Sequence, residues 1–426
     1  MKKLLTSMMA TSIICSIGAF SGSAQAQPDE HALSQNPSLA FDVISDIQGD
    51  IDDFRHVLQD MRQVNPASKA LIVNGDITDR GWDFEYQAVQ QVLDRNPHPE
   101  HVWYSIGNHE FYKPKWASPA QLAQNTWPNQ TPESEMFQNF YNFTGEEKVY
   151  HKKELDGYPF LFLGTEKYMH YHDKSLWDEV YLSDEQLDWL KQNLEEYDKK
   201  DPNKPIFLFS HHILKDSISG SNQSPYTGDY LEQEKLEAIL KDYPQVILFT
   251  SHSHWDLNLP DWAGKKVVKG GDRRGFTVVN TAGIQMGWAS AGPHGGEVPT
   301  GLDFKQGLQV EVNGNDVKIK AYDYKTDKVI KELGVHHGTI VQLPPNVEAD
   351  DEKNELIGAT QYMEYSVNGN GNGNGNGNGN GNGNSRWVDY DPKNPPKFEG
   401  NQTVFVRHKG EMNLEDGLSK KVTFKK

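Results

Sequence analysis

The stretch Ala70-Leu71-Ile72-Val73-Asn74-Gly75-Asp76-Ile77-Thr78-Asp79-Arg80-Gly81 sets a short apolar run against a dense polar cluster. A run of that length, bounded by Asn-Gly, reads as a buried strand ending in a turn. The arrangement recurs along the chain. Residues 40–45 lead into Asp46-Ile47-Gln48-Gly49-Asp50, and residues 102–106 into Gly107-Asn108-His109-Glu110. Residues 206–209 lead into Ser210-His211-His212, and residues 246–250 into Ser251-His252-Ser253-His254. A further apolar run covers 160–165. Between these runs, Phe54, Val57, Leu58 and Met61 fall at helical spacing. A second helix opens on Ser183-Asp184-Glu185-Gln186, read as a capping box, and places Leu187, Leu190 and Leu194 on one face. Strands alternating with helices predict a layered α/β domain with its helices outside the sheets. Ligands in such folds gather beyond the carboxyl ends of the strands. Five polar clusters meeting there would crowd carboxylates, amides and imidazoles together, which is itself an argument for bound cations.

The order D-x-Q, GDxxDRG, GNHE, HH and SHxH resembles the calcineurin-like metallophosphoesterases. The resemblance implies a four-layer α/β/β/α fold and hydrolysis of a phosphodiester, diphosphate or phosphomonoester by direct attack of a metal-bound hydroxide. It implies two divalent metal ions. Asp46, Gln48, Asp76 and His254 would hold one, and Asp76, Asn108, His211 and His252 the other, with Asp76 as the bridge. His109 would steady the phosphoryl oxygens or protonate the leaving group, Asp79 would orient His109, and Arg80 would grip a phosphate oxygen.

Two positions depart from the family pattern. Gln48 stands where histidine is usual, and a neutral oxygen ligand tilts the first site toward Mn²⁺, with Fe or Zn²⁺ as alternatives. A D-x-Q block is similar to that of the ADP-ribose/CDP-alcohol diphosphatase branch, so a nucleotide-diphosphate hydrolase is the alternative reading. A second alternative is a catalytically weak surface-binding protein. Ser251 replaces a usual glycine, which is tolerated where the backbone needs no positive φ. Several nearby residues have plainer readings. Asp42 reads as a structural hydrogen-bonder, and His212 faces away from the site that His211 enters. Tyr168-Met169-His170-Tyr171-His172 reads as a surface loop, His336-His337 as a solvated turn, and Trp116, Trp127, Trp255 and Trp288 as core.

The termini and the charge bound the setting. A basic start, an apolar run and Ala24-Gln25-Ala26 read as a signal peptide over residues 1–26, cleaved near Ala26, with the product secreted or held at the cell surface. No stable membrane anchor is expected. The one cysteine, Cys15, falls inside that segment, so metals must be held by oxygen and imidazole. A net charge of -18 argues against dedicated nucleic-acid binding, and the small phosphorylated substrate that the resemblance implies would need a local positive field, which the metals, Arg80 and His109 would supply. The catalytic domain is expected over 27–340, closed by a hairpin around Asn313-Gly314-Asn315-Asp316. Residues 341–426 read as an accessory β-sandwich, a candidate for cell-surface contact. The Asn-Gly repeat at 368–384 reads either as an interdomain linker or, preferably, as one hairpin turn expanded by repetition.

Overall fold

The computed structural model describes residues 36–292, 295–301, 303–367 and 386–425. The signal-peptide segment and the Asn-Gly repeat lie outside the described residues. Two sheets stack face to face. The first has seven strands in the order Thr339–Gln342, Lys328–His336, Asp316–Asp323, Gln306–Asn313, Leu39–Ile44, Ala70–Asn74 and His101–Ser105. The second has six, in the order Ala263–Lys266, Phe276–Asn280, Val246–Thr250, Ile206–Phe209, Tyr158–Phe162 and His151–Leu155.

Alternation along each strand decides which layer a side chain enters. Leu39, Phe41 and Val43 join Ala70, Ile72, Phe207 and Phe249 between the sheets, where Phe41 packs edge-on at 5.0 Å from Phe160 and 4.9 Å from Phe207. Ile44, Leu71 and Val73 turn outward onto the helices Ile51–Val64, Asp83–Arg95 and Glu133–Thr144. Leu161, Leu208 and Leu248 meet the helices Asp184–Lys200 and Gln233–Leu240 on the far side. The result is the four-layer α/β/β/α arrangement. The capping box expected at Ser183 forms by half. Ser183 Oγ accepts from the Gln186 amide at 3.1 Å, but the Gln186 side chain turns to Gly164 and Glu166.

Asp42 has the outward parity and sits fully buried beneath the first helix, where Asn65 Nδ2 donates to its Oδ1 at 2.9 Å. Burial raises its carboxyl to about 7, against partial relief from Ser68 and Asn65. A raised folded-state pKa contributes stability that is complete below the unfolded value of 3.8 and is lost as pH rises through about 7. Asp42→Asn should therefore raise the melting temperature more at pH 8 than at pH 5. Three pKa units set an upper bound of about 4 kcal/mol on that difference, and thermal melts at the two pH values test it.

Residues beyond Val347 form a unit rich in antiparallel strands. A four-stranded sheet (Val388–Asp389, Met363–Val367, Thr403–His408, Lys420–Thr423) and a two-stranded one (Glu348–Asp350, Glu355–Ile357) enclose Val347, Met363, Phe398, Val404, Val406 and Phe424. The strands on either side of the Asn-Gly repeat pair antiparallel, Glu364 opposite Asp389. This unit is tied to the rest of the molecule. The Asn413 carbonyl accepts from the Lys265 amide at 3.0 Å on the free edge of strand Ala263–Lys266, and Leu414 enters the core between the sheets.

Candidate metal centre

Five strands of the two sheets end at one place, and Asn74 knots them together. Its Nδ2 faces the carbonyls of Ser210 (3.3 Å) and Phe249 (3.1 Å) and the Ser251 hydroxyl (3.0 Å). Its Oδ1 accepts from Ser105 at 2.6 Å, and its carbonyl accepts from Ser45 at 2.8 Å and Ser251 at 3.0 Å. Ser251 is outside the residues with positive φ, and its hydroxyl makes a bond that glycine could not. Buried Glu110 joins the next two loops, accepting from the amides of Gly107 (2.7 Å), Thr78 (3.0 Å) and Asp76 (3.1 Å). Burial, and then the charge of Asp76, raise its carboxyl to about 7.

Backbone strain concentrates here. Asp46, Gln48, Asp76, His252 and His254 all adopt positive φ, at 55°, 42°, 49°, 65° and 51°. Left-handed conformations cost non-glycine residues about 1–3 kcal/mol each and persist where a site requires them. Two glycines make room for the result. A Cβ on Gly75, at φ 88°, would collide with the His211 ring, and one on Gly107 would collide with the Asp76 carboxylate.

The side chains so placed form two triads that share one residue. Asp76, His211 and His252 bring one ligand atom each to within 4.8 Å of one another, and so do Asp46, Asp76 and His254. His211 Nδ1 is held by the Asn74 carbonyl at 2.8 Å, which leaves Nε2 facing Asp76 Oδ2 (3.2 Å) and Asn108 Oδ1 (3.1 Å). His254 Nε2 stands 2.9 Å from Asp46 Oδ1, yet both Asp46 oxygens are buried without a hydrogen bond. An ionised carboxylate left so bare is costly, and this donor set fits two divalent cations with Asp76 between them. The terminal amide of Gln48 lies 2.9 Å from Asp76 Oδ2 and 3.1 Å from His254 Nε2, so it occupies the edge of the first triad. Half a turn of that amide exchanges its nitrogen for its oxygen at the same place.

The buried carboxylates and imidazoles shift one another's pKa values. Burial opposes charging of the His211 ring, but Asp76 and Asp46 outweigh it and raise the ring to about 10. Asp76 is held well below the usual carboxylate range, its burial outweighed by His211 and His109. His252 is pushed the other way by burial and by its neighbours His212 and His211, which keeps it neutral and able to ligate. His212 is buried behind His211, with Nε2 unpartnered and its ring lowered to about 3 by burial and then by His211. It joins neither triad.

His109 lies at the open side of the centre, its side chain 22% exposed and Nε2 4.0 Å from Asp76 Oδ2. Its Nδ1 lies 2.8 Å from the Asp79 backbone carbonyl and 3.7 Å from the carboxylate, so the main chain fixes the ring. The Asp79 carboxylate instead pairs with Arg80 Nε at 2.8 Å. The Arg80 guanidinium lies 3.9 Å over the Trp116 ring. Trp116 is partly exposed as the platform for Arg80, not a core residue as expected. Likewise the loop after Tyr168 is no free surface loop. Tyr168, Met169 and His170 are buried, the His170 ring stacked 3.6 Å from Trp177, while His172 faces outward beside Glu133. His336 pairs with Asp316 at 2.9 Å, and His337 occupies a turn at φ 46°. Neither belongs to a triad.

Shared carboxylates, imidazoles and amides at the ends of strands from two stacked sheets define a metal-dependent phosphoester hydrolase. Residues 39–256, just over half of the 426, match the family model for calcineurin-like phosphoesterases, and the chain belongs to that family. Residues 257–425 match a domain of unknown function, DUF4073, a span that takes in four strands of the first sheet as well as the C-terminal unit. A search of curated proteins finds no matching sequence. Among solved structures, the chain is similar to the purple acid phosphatase PPD1 from yellow lupin, with 13% identity and a TM-score of 0.49. That match covers 71% of this chain and 54% of the lupin chain, so it spans about half the length of that relative. It is also similar to GAP50 of Plasmodium (12%, TM-score 0.38, 70% of this chain and 88% of that one). A 5′-nucleotidase precursor from Thermus thermophilus is a third (12%, TM-score 0.30, 70% and 54%). Among the described residues no helix is long and apolar enough to cross a membrane.

Proposed function

We propose that this chain is an exported enzyme that hydrolyses a small phosphorylated substrate (a phosphodiester, diphosphate or monoester) with two Mn²⁺ ions. The observation that carries the reading is the pair of triads sharing Asp76. Asp46, Gln48, Asp76 and His254 would hold one ion, and Asp76, Asn108, His211 and His252 the other. When bound, such a pair supplies Lewis acidity and a water made nucleophilic near neutral pH. His109, at the open side of the centre with Nδ1 held by the Asp79 carbonyl, would give a proton to the leaving oxygen. Arg80, with Nε on Asp79 and Nη1 on the Pro119 carbonyl at 2.7 Å, would offer its remaining N–H groups to a non-bridging oxygen. These cations offset the acidic body of the protein, whose charge argues against nucleic acid as the partner. Cell-surface contact through the C-terminal unit belongs to the same proposal. The test is turnover of p-nitrophenyl phosphate and bis-p-nitrophenyl phosphate by the full chain, with Mn²⁺ against EDTA. No turnover of either with Mn²⁺ would count against the reading.

Nucleotide diphosphates form a second reading, favoured by the placement of Gln48 at the first triad. Gln48→Ala should weaken one ion and leave the Asn108–His211–His252 half occupied. Gln48→His should shift preference from Mn²⁺ toward Zn²⁺ or Fe. Competition titrations of the metal-free protein read both, and two ions bound by Gln48→Ala as tightly as before would remove Gln48 from the ligand set.

A further inference from the structure

A carboxamide serves a cation only through its oxygen, and its NH₂ end, half a turn away, repels one. Something must therefore choose which end of Asn108 faces the centre. Asn108 Nδ2 donates to the Tyr112 hydroxyl at 2.7 Å, and that hydroxyl donates to Asp178 Oδ2 at 2.7 Å. A phenol has one proton to give. With it committed to Asp178, the Tyr112 oxygen can only accept, and only the NH₂ of Asn108 can satisfy it. Oδ1 is left facing His211 Nε2 at 3.1 Å. The Tyr112 ring is fixed in turn, its centroid 4.3 Å from that of His109 and 3.2 Å from Lys115 Nζ. Tyr112 and Asp178 belong to neither triad, and they come from separate loops.

We propose that Asp178 and Tyr112 form a positioning relay that sets the polarity of the Asn108 carboxamide, and through it the metal affinity of the half-centre built on Asn108, His211 and His252. The relay rests on the two-ion reading above. Its direction matters more than its bulk. Without the Asp178 acceptor, the Tyr112 proton is free to go to Asn108 Oδ1, which turns the NH₂ toward the cation.

Calorimetric titration of the metal-free full chain with Mn²⁺ tests this, with the melting temperature of the metal-free protein as the fold control. Tyr112→Phe should weaken one binding step about 10–100-fold, the range for groups that orient a ligand, and leave the other step unchanged. Asp178→Leu should do the same, whereas Asp178→Glu, which keeps an acceptor-only carboxylate for the hydroxyl, should stay near wild type. The double variant Y112F/D178L should lose no more than Tyr112→Phe alone, because the two act in series. Additive losses, equal weakening of both steps, or unchanged binding by Tyr112→Phe would overturn the relay. Should Tyr112→Phe fail to fold, the contrast between Asp178→Leu and Asp178→Glu decides it, and equal affinities overturn it. A wild-type chain that takes up fewer than two ions fails the two-ion reading itself, before any variant is compared.

Discussion

Asp76→Asn is expected to lower phosphoester turnover by more than about 100-fold and to strip metal from both halves of the centre. Groups that merely orient a ligand cost about 10–100-fold when removed, and Asp76 is the one residue common to both triads. The asparagine keeps the volume and can still accept from the His109 amide, which bonds Asp76 Oδ1 at 2.9 Å. What it removes is the negative charge that faces His211 Nε2 at 3.2 Å and that two cations would share. Asp42→Asn is the matched control. It changes a carboxylate of the same first sheet and the same depth, and should leave turnover unaltered. Metal content and steady-state rates of the two variants make the comparison. Near wild-type turnover with two ions in Asp76→Asn would show that the bridge is elsewhere.

The second large effect is at His109. Its replacement by alanine should leave both metals in place and cost about 10²–10⁴ in rate, the span of a positioned general acid. The loss should shrink for substrates with good leaving groups, since a nitrophenolate needs no proton. Equal losses for good and poor leaving groups would assign the ring an electrostatic part only. Because the Asp79 main chain carries the 2.8 Å hydrogen bond to His109 Nδ1, Asp79→Asn should be far milder than His109→Ala.

The layers, and the polar clusters that meet at the strand ends, could be read from sequence because each rests on a local pattern. Short apolar runs such as Leu39–Ile44 reveal a strand between two apolar layers, and the polar residue after each run must lie at a sheet end. The support of the centre could not be read this way. Asn74 satisfies carbonyls of residues 136 and 175 positions away, and nothing near Asn74 announces them. Glu110 looks like one letter of a motif, yet it binds three amides of two loops. Tyr112 and Asp178 meet across 66 positions. The burial of His170 depends on Trp177 folding back over it, so a polar, tyrosine-rich run reads as exposed until its partner is known.

The seat of Leu414 makes the C-terminal unit something other than an appendage. A chain cut after strand Thr339–Gln342 would keep every residue of the metal centre. It would also lose a filler of its own interior and bare the peptide groups of strand Ala263–Lys266, against which Asn413 now lies. An open sheet edge beside a void invites pairing with a second molecule. The C-terminal unit therefore serves as a stopper, and the larger unit has no clean way to exist without it.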